Sequence, residues 1–271
     1  MTKFAAILNL TPDSFSDGGK FNQKDKALLH LEKLLNDGAN MIDIGAESTR
    51  PGAKIITSNE EWQRLKDILP FIIKKIKDFE QRNNKNIDIS LDSYHPENIE
   101  KSLSLGVNII NDVSGFANDK IQQIAVKSQK KIILMHNLGV PSNPNIIIDE
   151  NLDIIAELLK WANEKIKFLT QIGIKKENII FDPGIGFGKN HQQNIAIIDR
   201  IEELKILNLP LYVGHSRKRF LNFIESEEFI GKDIDQKTNI ITNYLISKNI
   251  DYVRIHDLIS LKKDFNIYNK L

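Results

Sequence analysis

With 271 residues, 41% of them hydrophobic and 27% charged, the chain has the make-up of an ordinary globular protein large enough to bury a substantial core. Its 37 Lys and Arg all but cancel 36 Asp and Glu, so a formal charge of +1 gives no general attraction for nucleic acid or an anionic membrane. The absence of cysteine excludes disulfides, thiolate metal sites and cysteine nucleophiles and makes the cytoplasm the expected location.

Residues 4–8 are apolar but too short for a signal sequence, and no run approaches the roughly 20 apolar residues of a membrane span. They read instead as a first strand ending at Asn9, followed by a polar loop through Gly18 and Gly19. The spacing of Leu28, Leu31, Leu34 and Leu35 predicts a helix over residues 25–37, stopped by Gly38. A second strand, residues 41–44, opens into a loop carrying Glu47, Thr49, Arg50 and Pro51. Ser58 with Glu61 has the spacing of a capping box, and Trp62, Leu65, Leu69, Ile72, Ile73 and Ile76 keep helical spacing behind it, with a kink expected at Pro70.

Strand three, residues 87–91, ends at Asp92, and Pro96 stands where a helix can begin. Strand four, residues 107–110, ends at Asn111, and strand five, residues 131–135, at His136. A longer loop precedes a helix whose core face is Leu152, Ile155, Leu159, Ala162, Ile166 and Leu169, closed by Gly173. Strand six, Ile179-Ile180-Phe181, stops at Asp182-Pro183 and a run of alternating glycines ending in Lys189. That run fits neither the Rossmann nor the Walker spacing, so as a nucleotide signature it is weak. Strand seven, residues 211–213, leads into His215, Ser216, Arg217 and Lys218, and strand eight, residues 252–255, carries Arg254 and ends at His256.

Strands alternating with helices, without hairpin turns, describe a parallel sheet with crossover helices. Eight such units in a length near the ~250 residues usual for the fold point to one (β/α)₈ TIM barrel over residues 1–271, with a doubly wound open sheet as the alternative. In a barrel the C-terminal strand ends converge, which gathers Asn9, Asp92, Asn111, His136, Asp182, Lys218, Arg254 and His256, with Thr49 and Arg50 from the second loop. Asp92, Asn111, Asp182 and Lys218 offer acceptors, an amide and a cation suited to a flat heterocycle with an amino-pyrimidinone edge. Thr49, Arg50, Arg254 and His256 suit a phosphate or pyrophosphate. Arg254 lies inside an apolar strand, where an unpaired guanidinium is costly. His30, His95 and His191 show no partner pattern and read as structural, while His215 adjoins the site. No metal motif is present, but Mg²⁺ carried on substrate phosphates needs only one or two protein ligands, and Asn9 is a candidate.

Six ordered blocks spanning essentially the whole chain resemble the signatures of the dihydropteroate synthases: residues 9–19, 47–52, 111–115, 182–189, 216–218 and 254–257. The resemblance implies a transferase of folate biosynthesis that joins 6-hydroxymethyl-7,8-dihydropterin pyrophosphate to p-aminobenzoate and releases pyrophosphate. It assigns the pterin to Asp92, Asn111, Asp182 and Lys218 with Arg254. Mg²⁺-pyrophosphate falls to Asn9, Thr49, Arg50, Arg254 and His256, and p-aminobenzoate to Ser14, Phe15, Pro51, Gly186, Phe187, Ser216 and the stem of Lys218. It further implies a homodimer through the late helices and small-molecule substrates only. The chemistry expected is a dissociative substitution through a pterin cation stabilised by Asp92 and Asp182.

Ala46, Asn137 and His215 depart from the family's usual pattern without removing a proposed ligand. The chain enters its first strand within a few residues, where family members commonly carry an N-terminal hairpin, so the expectation is a minimal enzyme or the synthase portion of a longer fused polypeptide. A corrinoid methyltransferase of the same fold, and a pterin-binding protein without catalysis, are the competing functions. Both are disfavoured by the pyrophosphate-binding residues.

Overall fold

The expected strands are all present in the computed structural model, which describes residues 1–11, 20–48, 54–143 and 145–265. They are β1 (Lys3–Asn9), β2 (Met41–Gly45), β3 (Asp88–Asp92), β4 (Ile109–Asp112), β5 (Lys131–Met135), β6 (Ile179–Asp182), β7 (Tyr212–Val213) and β8 (Tyr252–Ile255). Every pairing is parallel, in the order β6-β5-β4-β3-β2-β1-β8-β7. The seam between β6 and β7 is joined by a single bridge, Phe181 to Leu211, with the Phe181 N–H donating to the Pro210 carbonyl at 2.9 Å. The sheet therefore curls into a nearly closed TIM barrel, and the open-sheet alternative falls.

Between the strands run α1 (Lys20–Asn36), α2 (Ser58–Leu65), α3 (Leu69–Asn83), α4 (Pro96–Leu105), α5 (Asp119–Ser128), α6 (Ile154–Gln171), α7 (His191–Asp199) and α8 (Ile234–Ser247), with α9 (Leu258–Phe265) last. The main core lies between barrel and helices: Leu31, Leu34, Leu65, Ile72, Leu158 and Leu245 are fully enclosed there or nearly so. Each contributes about 1.5–3 kcal/mol by leaving water.

Three local expectations change. The capping box is built by Thr57 and Glu60, one residue earlier than expected. Both pairs fit the Ser/Thr-x-x-Glu spacing, but Glu61 is turned inward and fully buried. Pro70 does not kink one helix. It sits in the first turn of α3, and the chain breaks between Leu65 and Leu69 because a proline tolerated at a helix start cannot continue the helix before it. Leu152 is 48% exposed and precedes α6, whose N-cap is Asp153, while Ile154 and Leu158 take places on the buried face.

Side chains on a strand alternate between its faces, and in this barrel the inward set changes character two residues along. A second, smaller cluster of Ala5, Met41, Ile109, Ile133, Ile180, Tyr212 and Tyr252 fills the barrel floor. The next residues on the same face are Asp43 after Met41, Asn111 after Ile109, Asp182 after Ile180 and Arg254 after Tyr252. An apolar floor thus supports a charged mouth.

Candidate active site at the mouth of the barrel

Register brings four strand tips to one level: Asn9 pairs with Gly45, Gly45 with Asp92, and Asp92 with Asn111. A Cβ at Gly45 would lie 3.5 Å from Asn9 Oδ1 and 3.8 Å from Asp92 Oδ2, so both groups flank the same point at the mouth.

At the centre stands Arg254. Its Nε donates to Asp43 Oδ2 at 2.6 Å and one terminal nitrogen donates to Asp92 Oδ2 at 2.7 Å. Asn111 Nδ2 donates to both Asp43 oxygens at 3.2 Å. Burial opposes the guanidinium's charge, but Asp43 and Asp92 more than offset it and hold Arg254 above its usual range. Burial pushes Asp92 up to about 7, against the pull of Arg254 and with the repulsion of Asp43. Asp92 Oδ1 is buried and has no protein partner. That is the donor-hungry edge a ligand N–H would satisfy.

Asp182 occupies the opposite arc. Its carboxyl is raised by burial, opposed by Lys218, by the Gly184 N–H that donates to Oδ1 at 2.7 Å, and by the charges of Lys189 and Arg254. Arg254 bonds Asp92 and is felt at Asp182, so both acids share one mouth. Lys218 joins the arcs. Its Nζ donates to the Ile185 carbonyl and lies 4.5 Å from the centroid of the Phe187 ring. A Cβ at Gly214 would meet both Arg254 Cδ at 3.6 Å and Lys218 Nζ at 4.0 Å.

Gly186, with φ +80°, admits the Lys218 stem: a Cβ there would come within 3.1 Å of Lys218 Cδ. Ser216 Oγ shares a 2.8 Å hydrogen bond with His256 Nδ1 and accepts from the His256 N–H at 3.3 Å. His215, fully buried and held near 4 by burial, turns away to Thr242 Oγ1 at 2.8 Å. It packs beside the site and stays neutral. His136 likewise faces a lysine, Lys189, rather than the mouth's carboxylates. Ser14, Phe15, Thr49, Arg50 and Pro51 lie outside the described residues.

Sequence reasoning missed Asp43. The signal was present: a carboxylate inside an otherwise apolar strand is as costly as the guanidinium of Arg254 and needs a partner. It also missed the set holding the second loop. Glu47 Oε1 accepts from the Ile56 N–H at 3.0 Å and the Tyr94 hydroxyl at 2.7 Å, and Oε2 lies 2.9 Å from His95 Nε2. His95 therefore has a partner after all. Glu61, raised by burial, accepts from Ser93 Oγ at 2.8 Å and Asn98 Nδ2 at 2.7 Å. Glu47, Glu61 and His95 form the one His/carboxylate cluster of metal-ligand spacing among the described residues. All but one of its carboxylate oxygens already hold protein partners. A groove of about 1040 Å³ lies away from the mouth, between α7, α8 and the segment around Phe229.

The pterin-binding enzyme family model matches residues 5–256. The dihydropteroate synthase of Clostridium beijerinckii is 38% identical over 262 residues, 95% of this chain and 90% of that one. Among solved structures, dihydropteroate synthase from Anaplasma phagocytophilum with bound 6-hydroxymethylpterin-monophosphate superposes with a TM-score of 0.85 at 37% identity, covering 99% of this chain and 98% of that one. The Xanthomonas albilineans synthase with 4-aminobenzoic acid gives 0.83 at 26% identity, covering 99% and 92%.

Proposed function

From the chain's membership of the dihydropteroate synthase family, and hence its place among the transferases of folate synthesis, we infer that the barrel mouth joins a dihydropterin pyrophosphate to p-aminobenzoate with release of pyrophosphate. The observation that carries the residue assignment is the unpartnered, buried Oδ1 of Asp92 beside an Arg254 that fills Oδ2. An amino-pyrimidinone edge supplies the N–H that this oxygen lacks. Asn111 offers a further amide, and Asp182 on the facing arc accepts from the other side of the bicycle.

Lys218 closes over one face of the pterin, and Phe187, Gly186 and Ser216 border the p-aminobenzoate side, with Ser14, Phe15 and Pro51 assigned there from sequence. Thr49, Arg50, Arg254 and His256 take the pyrophosphate. Arginine forks and a histidine donor neutralise charge that grows on the leaving oxygens, and this is where electrostatic catalysis acts. The departing group leaves a methylene cation that the ring nitrogens delocalise and Asp92 and Asp182 stabilise. The arylamine captures it, so no protein nucleophile takes part.

Mg²⁺ fits this mouth. Asn9 Oδ1 is a hard oxygen at the right level, and the ion needs few protein ligands when phosphates supply the rest. When bound it supplies charge neutralisation at the pyrophosphate. The Glu47–Glu61–His95 cluster is a poorer place, because every carboxylate oxygen in it except Glu61 Oε1 is already engaged within the protein. A second copy of the chain is the expected partner, and the groove beside α8, flanked by Ile230 at 76% exposure, is the face we assign to it.

The test is pyrophosphate release from the dihydropterin pyrophosphate with and without p-aminobenzoate, paired with calorimetry of Asp182→Ala. Release coupled to p-aminobenzoate, and pterin binding lost in the variant, are the expected results. Uncoupled release, or near-normal pterin affinity in Asp182→Ala, defeats the assignment.

A further inference from the structure

The Gly-Lys pair closing the loop after β6 serves no phosphate cradle, yet its lysine is among the most enclosed cations in the chain. Lys189 is 7% exposed. Its Nζ lies 2.9 Å from His136 Nδ1, 3.0 Å from the Gly184 carbonyl oxygen and 2.8 Å from the Phe187 carbonyl oxygen. An ammonium has three donors and nothing to accept with, so three acceptors satisfy it completely. One acceptor stands at the tip of β5, and two bracket the loop that follows β6.

Both bracketed residues touch the mouth. The Gly184 N–H holds the Asp182 carboxylate at 2.7 Å, and the Phe187 ring lies under Lys218 Nζ. The loop is also pressed against β5: a Cβ at Gly184 would sit 1.9 Å from the His136 carbonyl oxygen. No side chain could relax that approach, so the loop has a single seat, and Lys189 fastens it to β5 while the Gly186 N–H, donating to Asn194 Oδ1 at 2.6 Å, and Lys218 Nζ, donating to the Ile185 carbonyl, hold its middle.

We propose that Lys189 is a positioning residue for both substrates, tying the 183–188 loop to the tip of β5 so that Asp182 and Phe187 are held at the distances their ligands require. The proposal rests on the assignment of Asp182 to the pterin and of Phe187 to the p-aminobenzoate wall.

Charge gives the clamp a second effect. The cations facing Asp182 are Lys218, Lys189 and Arg254, all of which favour its ionised form. Lys189 in turn faces Asp182 and Lys218, and burial brings it down to about 7. His136, desolvated and beside Lys189, is held down to about 2, so it remains a neutral acceptor wherever the enzyme works. Removing the lysine takes one cation from Asp182, whose carboxyl then protonates at higher pH.

Lys189→Met tests this by steady-state kinetics and pterin calorimetry across the acid limb. The expected result is a rise in KM for p-aminobenzoate on the order of tenfold to hundredfold, as a wall misplaced by about 1 Å would give, with the acid limb of pterin binding moved to higher pH. A variant with a lower melting temperature, wild-type KM and an unmoved acid limb overturns the proposal. Should Lys189→Met not fold, ¹⁵N-imidazole spectra of the wild-type protein decide, with His136→Gln used to assign the resonance. His136 is expected to show an unprotonated Nδ1 at about pH 6 and no titration near the ordinary imidazole value of about 6.5. Titration there overturns the clamp. Asp182→Ala is the reference: if it loses pterin while Lys189→Met behaves as wild type, only this proposal falls, and if it keeps pterin, the underlying assignment falls instead.

Discussion

Arg254→Met removes the guanidinium while keeping most of the side chain's bulk, and it strands two acids at once. Asp43 is fully buried and loses its 2.6 Å donor, and Asp92 loses its 2.7 Å donor. Breaking a buried ion pair from one side costs about 3–5 kcal/mol. In a domain of this size that lowers the melting temperature by roughly 6–20 °C.

The loss should grow with pH. Asp92 stands at about 7 in the folded chain and near an ordinary carboxylate value when unfolded, so the folded state binds its proton more tightly. That contribution is fully present below the unfolded value and is lost as pH rises toward 7. Without Arg254 the folded value moves higher still, which makes the variant's deficit larger at about pH 8 than at about pH 5. Urea melts at the two pH values measure this, and Asp43→Asn added to Arg254→Met should recover part of the loss as a coupling energy. Turnover should fall by about 10²–10³ through the leaving group. A deficit equal at both pH values, no recovery in the double variant, and unchanged turnover at saturating substrate would refute the reasoning.

Two more expectations concern the loops. Glu47 draws together residues 47 and 56 at the base of the loop that carries Thr49 and Arg50, so Glu47→Gln should weaken binding of the pterin pyrophosphate about tenfold, the worth of one lost charge-assisted hydrogen bond. Hydroxymethylpterin without the pyrophosphate should bind it normally, and equal losses for both ligands in calorimetry count against a role at the leaving group. Gly184→Ala forces a Cβ to 1.9 Å from a backbone oxygen at φ +67°, so the variant should melt well below the wild type or fail to accumulate. Wild-type melting would contradict the backbone geometry itself.

The strand tips were legible in the sequence because a buried parallel strand is a run of apolar residues and its end is announced by the first polar one. Asp92, Asn111 and Asp182 were found that way, and they do stand at the mouth. Asp43 was not, because it precedes the end of β2 and is followed by apolar Ile44, so a search for the terminal residue steps over it. The capping box slipped by one residue for a related reason. Thr57 and Ser58 each stand three before a glutamate, and the choice is made by tertiary burial of Glu61 against Ser93 and Asn98, about which local spacing holds no information. Lys189 was hidden differently, since three acceptors on two elements are invisible until the chain is folded.

What would have recovered Asp43 is the period of the strand rather than its boundary. Counting inward-facing residues two by two from the floor puts Met41 and Asp43 on the same face as Tyr252 and Arg254. Two charges, each prohibitively placed alone, then become each other's reason for being there. The same count applied to β3 yields Ser90 below Asp92, a buried hydroxyl with no partner directly beneath the acid assigned to the pterin. The polar character of the mouth therefore reaches one layer deeper on that strand than on β4, β6 or β8, whose floor residues are Ile109, Ile180 and Tyr252. It reaches deeper on the side where the unpartnered Oδ1 of Asp92 marks the heterocycle's edge.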